Sequence, residues 1–545
     1  MKMFDLKGNL TNNKYLVLLT AVMFIYTAIL LCSQIIRSIS YWDIFIYLGN
    51  AMLFSGHNIG SQLSVPPVLS LLTAIPFTMG FISETSLFVV SGVLFVFLII
   101  GTYLLFNERF DSEVSLLASL IFSMFSLIVT WALTGATDVP ALCFGVWALL
   151  FTIWGLKRDF KYYYPAFLFF VLAFFTRFTE GFILIVMAYY ILINFNDFKK
   201  QLTRRNLLTF VGYVVVAGII ISAIYLAFMG NIPFISQFLE VSSSSQVSSV
   251  NVGYELNPFY YFQNLPEYLT SFGVSGWYFS SLSTSDNSPT LLSYVFILLV
   301  GLYILKFLSG LVKHDNKMNN EILKVLGIVM LSFFMIISYT HISYMFTEAL
   351  FFIIMLLYYK WIPDKDNQMD YVMILWMGIY IIMHSYHPVK VDRYIIPIMV
   401  PFAYLLSASI QYLLKERKKI IIALLIVLIL MIPINAGYIS SITQENQHTH
   451  EEKAAAAWLE EYDANYMNHN LSSDRGVVFS WYLKKYVYTT IPRVLEANNE
   501  SLSDKLNSVK ARYYIDSTSN TTNITGYHCI YDNRKNCRLK IYERD

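Results

Sequence analysis

The residues of this chain best suited to chemistry are a few charged side chains that stand in aromatic or apolar surroundings. Asp43 lies in the stretch YWDIF, Asp138 lies in TGATDVP, and Arg177 and Glu180 lie in FFTRFTEG. A positioned carboxylate can act as a general base, and the planar fork of a guanidinium matches the oxygens of a phosphate. These residue types therefore indicate acid–base chemistry together with phosphate binding.

Each of these side chains also has a structural interpretation. Asp43 precedes an apolar run, and Asp138 is followed closely by Pro140, so both acids fit the N-caps of helices. Arg177 and Glu180 fit a buried ion pair that holds two helices together. The residues alone leave both interpretations open.

A further polar segment, HSYHPVKVDRYIIPIMVP, lies near the end of the apolar part of the chain. Lys390 and Arg393 in this segment indicate an anion site, or else long side chains that snorkel at a helix end. His384 and His387 are three residues apart, but no third ligand lies nearby in the sequence, so a zinc site is not favoured.

The composition excludes a soluble enzyme. Of the 545 residues, 56% are hydrophobic, 17% are aromatic and 14% are charged, and the mean hydropathy is +0.54. Such a chain is typical of a polytopic α-helical membrane protein. The formal net charge of +2, without a basic patch interleaved with aromatic residues, gives no indication of nucleic-acid binding.

Thirteen apolar segments predict a multi-pass protein of the plasma membrane, with a cytoplasmic N-terminus and an external C-terminus. Clusters of Lys and Arg between the segments mark the cytoplasmic loops. The segments cover residues 15–37, 86–106, 114–133, 138–156, 162–176, 180–195, 207–229, 290–310, 323–341, 345–360, 370–386, 393–412 and 418–438.

Two regions depart from plain crossings. Residues 65–82 contain three prolines, and they must not cross if the two acids are to lie on the same side of the membrane. We expect them to form a helix in the outer leaflet. Residues 162–195 provide about 34 positions where two crossings need about 40, so we expect short or broken helices that hold the turn with Arg177 inside the bundle.

The chain divides into a membrane domain over residues 1–440 and a small α/β domain outside the membrane over residues 441–545. The membrane domain carries a first outer loop at 38–85 and a long outer loop at 230–290, which we expect to cover the site or to hold an acceptor. In the tail, RGVVFS, VYTT, ARYYIDS and CRLKIYERD indicate strands. Cys529 and Cys537 fit a disulfide if the tail is external.

Taken in order, these motifs resemble those of the C superfamily of membrane glycosyltransferases, which draw sugar from a polyprenyl phosphate. The likeness is to the branch of the protein O-mannosyltransferases and the lipid A aminoarabinose transferase. Asp43 matches the acid of the first loop, VPPVLSLL the PPL segment, TGATD the second acid, FFTRFTEG the Thr-Lys-Gly turn, and DRYIIPIMVP the Arg-Tyr-Leu-Leu-Pro helix.

The resemblance implies a GT-C-like fold in which Asp43 and Asp138 are the catalytic acids of an outer cavity. It implies that the carrier phosphate is bound by Arg177, with Arg393 and Lys390 as weaker candidates. Further candidates for the cavity wall are Tyr47, Glu180, His387 and Tyr394.

Three departures from the family pattern limit this comparison. Ile44 follows Asp43 where the family often has Asp-Glu, and Arg177 replaces the usual Lys. The tail has no Trp-Trp-Asp-Tyr-Gly motif, which disfavours en bloc transfer of an oligosaccharide to asparagine.

The implied reaction is consistent with the residue types. Displacement of a phosphate from the anomeric carbon of a sugar needs a base on one side and stabilisation of the leaving phosphate on the other. A single displacement inverts the anomeric centre. The partners are then a polyprenyl-phosphate sugar, membrane lipids and an acceptor that is a lipid, a glycan or a protein. No cofactor is certain, and a divalent cation held by the two acids stays open.

The main alternative is a transporter or flippase of lipid-linked saccharides, which would place polar groups in both leaflets. A third interpretation makes the tail the working part, as a binding module anchored by the helical bundle. The position of the polar groups relative to the membrane distinguishes the first two hypotheses.

Overall fold

The computed structural model describes residues 14–39, 41–229, 257–273, 289–309, 318–341, 344–361, 368–387, 390–519, 521, 523–533 and 539–545. Up to residue 442 the described chain is helical. In chain order the helices are α1 (Lys14–Arg37), α2 (Trp42–Phe54), α3 (Val68–Thr78), α4 (Glu84–Phe106), α5 (Ser112–Ser123), α6 (Ser126–Trp131), α7 (Asp138–Lys157), α8 (Tyr163–Thr176), α9 (Ile183–Ile193), α10 (Phe195–Gln201), α11 (Arg204–Met229), α12 (Tyr260–Gln263), α13 (Leu265–Leu269), α14 (Leu291–Ser309), α15 (Met318–His341), α16 (Tyr344–Trp361), α17 (Gln368–Tyr386), α18 (Met399–Leu414) and α19 (Arg417–Ile442).

Seven helices among the described residues are long and apolar enough to cross a membrane, and an eighth span results if two helices bent by 87° at residue 194 count as one. The seven are α1, α4, α7, α11, α14, α18 with the 3-10 turn Asp392–Ile398 before it, and the long helical stretch Arg417–Tyr462 that begins with α19. The predicted fold class, a polytopic helical membrane protein with a small C-terminal sheet domain, is confirmed. The count of thirteen spans stays a prediction.

The regions expected to depart from plain crossings contain short helices. Residues 65–82 form only the 11-residue helix α3, with Pro76 inside it. At 1.5 Å per residue this helix is about 16 Å long, roughly half of a hydrocarbon core. Helices α8 and α9 have 14 and 11 residues and are joined by the 3-10 turn Phe178–Phe182.

A break that the sequence did not indicate divides the apolar segment 114–133 into α5 and α6. The carbonyl of Met124 at this break accepts a hydrogen bond from Asn435 Nδ2 at 3.1 Å, and Tyr26 donates to the same amide at 2.7 Å. Backbone groups freed at a break in an apolar bundle must find such partners. Asn435, on α19, therefore makes the break tolerable.

The tail holds a five-stranded sheet in the order β2-β1-β3-β5-β4, with β1 parallel to β2 and β3 and with β5 antiparallel to β3 and β4. The strands are β1 (Asn470–Ser473), β2 (Val487–Thr489), β3 (Ala511–Asp516), β4 (Tyr527–Asn533) and β5 (Leu539–Arg544), and the helices are α20 (Gln447–Tyr462), α21 (Gly476–Tyr482), α22 (Pro492–Ala497) and α23 (Leu502–Ser508). Cys537, of the expected disulfide, lies outside the described residues.

One strand prediction in the tail is wrong. RGVVFS was expected to be a strand, but it opens helix α21, and the strand lies just before it in NLSS. A short apolar run does not distinguish the two structures by its pattern. Here Val478 and Trp481, three positions apart on one helix face, are both buried, so packing decides for the helix.

The tail packs directly against the first loop, which we define as residues 38–85. Trp481 Nε1 donates to Glu84 Oε1 at 3.1 Å, and its ring stacks on that of Phe77 with 5.9 Å between centroids. Tyr482 meets Phe45 edge-on at 5.6 Å. These contacts join residues about 400 or more positions apart in the sequence.

Asn50, on α2, fixes the backbone of the first loop. Its Nδ2 donates to the carbonyl of Gln62 at 2.9 Å, and its Oδ1 accepts from the backbone N–H of Gln62 at 2.8 Å. The side chain of Asn50 is buried. The loop therefore lies on α2 through a paired hydrogen bond as well as through its apolar contacts.

We expect Asn50→Leu to loosen the first loop. Loss of the two hydrogen bonds should cost about 1–3 kcal/mol, seen as a lower midpoint of thermal unfolding in detergent and faster proteolytic cleavage between residues 55 and 67. Asn498→Leu, at an exposed position of the tail, is the matched control. An unchanged midpoint and cleavage rate for Asn50→Leu would contradict the assignment.

Candidate active site

The candidate site is organised around the guanidinium of Arg393, whose side chain is 6% exposed. Its Nη2 donates to Asp43 Oδ2 at 2.8 Å and to the hydroxyl oxygen of Tyr41 at 2.7 Å. Its Nη1 donates to Asp138 Oδ2 at 3.2 Å. One arginine therefore joins both acids that the sequence singled out, across 350 and 255 positions of the chain.

Arg177 pairs with the other oxygen of the same buried acid, Asp138 Oδ1. The guanidinium groups of Arg177 and Arg393 lie 4.7 Å and 5.7 Å from the centroid of the Tyr394 ring. The side chain of Asp138 is 1% exposed, whereas that of Asp43 is 33% exposed. Asp138 is thus enclosed between two guanidinium groups, and Asp43 is the acid that opens to its surroundings.

Both acids lie in the first turn of a helix, yet neither is the N-cap. Tyr41 takes that position in α2 and Thr137 takes it in α7, and neither side chain makes a capping hydrogen bond. The N-cap interpretation of Asp43 and Asp138 is therefore wrong, because their carboxylates bind arginine. A negative charge in the first turn still gains about 0.3–1 kcal/mol from the helix dipole.

A tight turn between α6 and α7 delivers Asp138 to the site. Gly135 in this turn has φ +83°, which L side chains rarely adopt. A Cβ atom on it would also lie 2.7 Å from Cδ2 of Leu87. The glycine of TGATD is therefore required by backbone conformation and by space.

Arg177 stands in extended conformation between α8 and the 3-10 turn, where the chain leaves the short helix. Glu180 Oε1 would lie 2.6 Å from a Cβ atom placed on Gly145, which is two turns after Asp138 on α7. Among the described residues, the acid within 4.0 Å of Arg177 is Asp138. The structural interpretation, an ion pair between Arg177 and Glu180, is therefore wrong, and Glu180, 1% exposed, packs against α7 instead.

The remaining sequence candidates lie around this centre. Lys390 Nζ donates to the carbonyls of His384, Ser385 and His387, and so covers the C-terminal end of α17. The ring centroid of His387 lies 6.4 Å from that of Tyr394. Tyr47 is buried one helical turn after Asp43.

Tyr41 and Trp131 belong to the site although sequence reasoning did not select them. The guanidinium of Arg393 lies 4.2 Å from the centroid of the Tyr41 ring and 5.6 Å from that of Trp131, and the two rings meet edge-on at 5.9 Å. Each contributes a cation–π contact worth about 0.5–2 kcal/mol. Their proximity to the two acids in YWD and WALTGATD was the available signal.

The tail reaches the first turn of α2 through Arg475. Its guanidinium lies 5.2 Å from the centroid of the Trp42 ring, and its Nε donates to Glu452 Oε1 at 2.5 Å. Burial raises the pKa of Glu452, but the charge of Arg475 and hydrogen bonds with His448 and Ser517 outweigh it and hold this pKa below the usual value. An anionic Glu452 therefore holds Arg475 beside Trp42, which precedes Asp43 in the chain.

The described residues contain no group of three or more His, Cys, Asp or Glu side chains placed to hold a metal ion. The carboxylates of Asp43 and Asp138 are engaged by arginines. Their role as ligands of a divalent cation stays a hypothesis.

The arrangement combines an accessible carboxylate with a pair of buried guanidinium groups. Asp43 accepts a hydrogen bond from Arg393 and is exposed enough to meet a substrate hydroxyl. Arg177 and Arg393 together offer N–H groups that match phosphate oxygens. Arg393 Nε has no hydrogen-bond partner among the described residues, so one N–H donor of this guanidinium is unused.

Comparisons with known proteins bear on the family and the fold of this chain. Residues 64–225 match the family model of the dolichyl-phosphate-mannose-protein mannosyltransferases. That match includes Asp138 and Arg177 but neither Asp43 nor Arg393. None of the curated proteins compared by sequence matches the chain.

Two crystal structures of ArnT from Cupriavidus metallidurans have a similar fold. The structure bound to undecaprenyl phosphate aligns with a TM-score of 0.60 at 11% identity, over 97% of this chain and 98% of that one. The structure in the apo state aligns with a TM-score of 0.56 at 11% identity, over 96% and 97%. The expected likeness to the membrane glycosyltransferases of the C superfamily agrees with this fold and with the family model over residues 64–225.

The two acids are paired differently, so their replacement should lower the free energy of unfolding by different amounts. Asp138→Asn leaves two buried guanidinium groups without their shared carboxylate, and we expect it to lower the free energy of unfolding by about 3–5 kcal/mol. Asp43→Asn leaves Arg393 paired with Asp138, and we expect a loss of about 1 kcal/mol. Thermal unfolding of the purified variants in detergent measures both, and equal midpoints would contradict the arrangement.

Proposed function

We propose that this protein is an inverting glycosyltransferase that moves a sugar from a polyprenyl phosphate to an acceptor hydroxyl on the outer face of the membrane. The observation that carries the proposal is the convergence of an accessible carboxylate, Asp43, with the two guanidinium groups of Arg177 and Arg393. A base and a phosphate-binding pair are the two parts that such a displacement needs. The ArnT fold, seen with undecaprenyl phosphate bound to ArnT, supports this class of donor.

Asp43 takes the part of general base. The oxygen of the acceptor hydroxyl attacks the anomeric carbon, its proton passes to Asp43, and the bond from that carbon to the phosphate oxygen breaks. The leaving phosphate takes the electron pair. Attack and departure occur on opposite sides of the carbon, so one displacement inverts its configuration.

Arg177 and Arg393 bind the carrier phosphate and stabilise the charge that develops on it. Arg393 also binds Asp43, so a phosphate that takes over its Nη2 releases the carboxylate for base catalysis. Occupation of the donor site then prepares the base. Lys390 has no part in this assignment, because its ammonium covers three carbonyls.

Asp138 acts as a positioning residue. Its side chain is 1% exposed and is bound by both guanidinium groups, so it has no free path to an acceptor. It holds both arginines on one carboxylate, Arg177 on Oδ1 and Arg393 on Oδ2. Tyr394 lies against both guanidinium groups and assists it.

The sidedness of the reaction follows from the same elements. The tail packs on the first loop, so both lie on one side of the membrane. Asp138 begins α7 on that side, and Lys157 ends it about 30 Å away, where Lys157 pairs with Glu108. Under the bias of basic residues towards the cytoplasm, the N-terminus is cytoplasmic and the tail and the site are external.

The transporter alternative receives no comparable support. Asp43, Asp138, Arg177 and Arg393 gather at one point instead of lining a path through both leaflets. A further buried acid of the described bundle, Asp370, lies elsewhere and is bound within the protein. Its two oxygens accept hydrogen bonds from Tyr303 and Tyr404 at 2.5 and 2.6 Å.

We expect Asp43→Asn to lower transfer by about 10²–10⁴-fold, because the acceptor proton loses its base. The measurement is the release of radiolabelled sugar from polyprenyl-phosphate hexoses and pentoses in membranes that contain the protein. Asp197→Asn, at an exposed ion pair with Lys200, is the matched control. Equal release from Asp43→Asn and wild type, or none from the wild type with any donor, would refute the proposal.

We expect Arg177→Gln to weaken the binding of undecaprenyl phosphate by about 10–100-fold, which corresponds to one or two charge-assisted hydrogen bonds. Native mass spectrometry of the purified protein measures the dissociation constant. Arg205→Gln, on the exposed start of α11, is the matched control. An unchanged affinity in Arg177→Gln would remove this residue from the phosphate site.

A further inference from the structure

A cavity of about 220 Å³ lies between the first loop and the tail. Helix α2 forms its floor with Gly49, the first loop contributes residues 59–62, and the tail contributes α21 and β2 with the turn before it. The cavity therefore exists only where the two parts of the chain meet.

The polar groups of the cavity are neutral. Ser61, Gln62 and Thr489 line it with hydroxyl and amide groups, and no charged side chain belongs to its wall. None of these three side chains forms a hydrogen bond with another described residue, so their donors and acceptors face the cavity or solvent. Tyr486 adds an aromatic ring that is 50% exposed.

The walls of the cavity are held in place. Gly60 has φ +95°, and a Cβ atom on it would lie 2.5 Å from Cδ2 of Tyr486, so glycine is required for the loop to lie on that ring. Asn50 holds the backbone of Gln62 from below. Ser480 Oγ accepts from the N–H of Val487 at 2.9 Å and so fixes the turn before β2. The site is thus preformed, as small-molecule sites usually are.

The cavity is close to the proposed base. Asp43 and Gly49 are six residues apart on α2, which is about 9 Å along the helix axis. They project from different faces of the helix, Asp43 towards Arg393 and Gly49 towards Gly60 and the cavity. A ligand of more than one unit can therefore occupy the cavity while its end lies near Asp43.

We propose that this cavity binds a neutral sugar unit of the acceptor, so that the acceptor is a glycan. A sugar ring offers several hydroxyl groups to neutral hydrogen-bonding side chains and an apolar C–H face to an aromatic ring, which is what this wall contains. A charged acceptor group would find no partner here. This inference rests on the proposed transferase function and specifies its acceptor class.

The test is binding of the full-length protein, purified in detergent, to an array of neutral glycans, acidic glycans and Ser/Thr-containing peptides. We expect neutral glycans to bind, and Ser61→Trp, which fills the cavity, and Tyr486→Ala, which removes the ring, to weaken that binding at least tenfold. Ser501→Trp, at an exposed position on the far part of the tail, should bind as the wild type does. Binding of peptides or acidic glycans alone, or equal binding by Ser61→Trp, overturns the inference.

The same array separates this inference from the transferase assignment. Asp43→Asn should bind neutral glycans normally while it fails to transfer sugar. Normal glycan binding together with full activity of Asp43→Asn would refute the assignment of the base and would still support glycan binding in the cavity. Activity that depends on Asp43, without glycan binding by the wild type, would refute the cavity alone.

Discussion

The enclosure of Asp138 between two guanidinium groups is the constraint on which this site depends. A charge buried in an apolar bundle costs several kcal/mol unless it is paired and hydrogen-bonded. Arg177 and Arg393 come from distant parts of the chain, and each needs this carboxylate. The elements that carry them must therefore stop at one depth. The turn at Gly135, the short helix α8 and the 3-10 turn before α18 all serve that end.

Three of the charged residues of the site lie where regular helix is interrupted. Arg177 follows an interrupted helix, Arg393 lies in a seven-residue 3-10 turn, and Asp138 follows a turn with a left-handed glycine. Continuous helices would carry these side chains past one another, since each turn of a helix advances by 5.4 Å. Breaks let three chain segments present charged side chains to one point, and the ion pairs compensate for the regular structure that is lost.

The sequence predicted the helical class, the short helices at 162–195 and the approximate order of the charged residues, because these follow from hydropathy, length and local motifs. It did not predict the partners. Glu180 was the one partner considered for Arg177 in an ion pair, whereas the structure pairs it with Asp138, and Arg393 was ranked as a weaker candidate although it lies at the centre. Such pairs depend on how distant helices pack, which no local pattern encodes. The strand predicted for RGVVFS was wrong for the same reason, since the burial of Trp481 against the first loop selects a helix there.

The packing of the tail on the first loop has a consequence for biosynthesis. Helix α2 is among the earliest segments to leave the ribosome, yet Trp42 and Phe45 on it meet Arg475 and Tyr482, which are made more than 400 residues later. Contacts of such sequence separation form late in folding. Until the tail is made and folded, helix α2 lacks the partners of its aromatic face. The packing of the helix that carries Asp43 is thus coupled to synthesis of the tail.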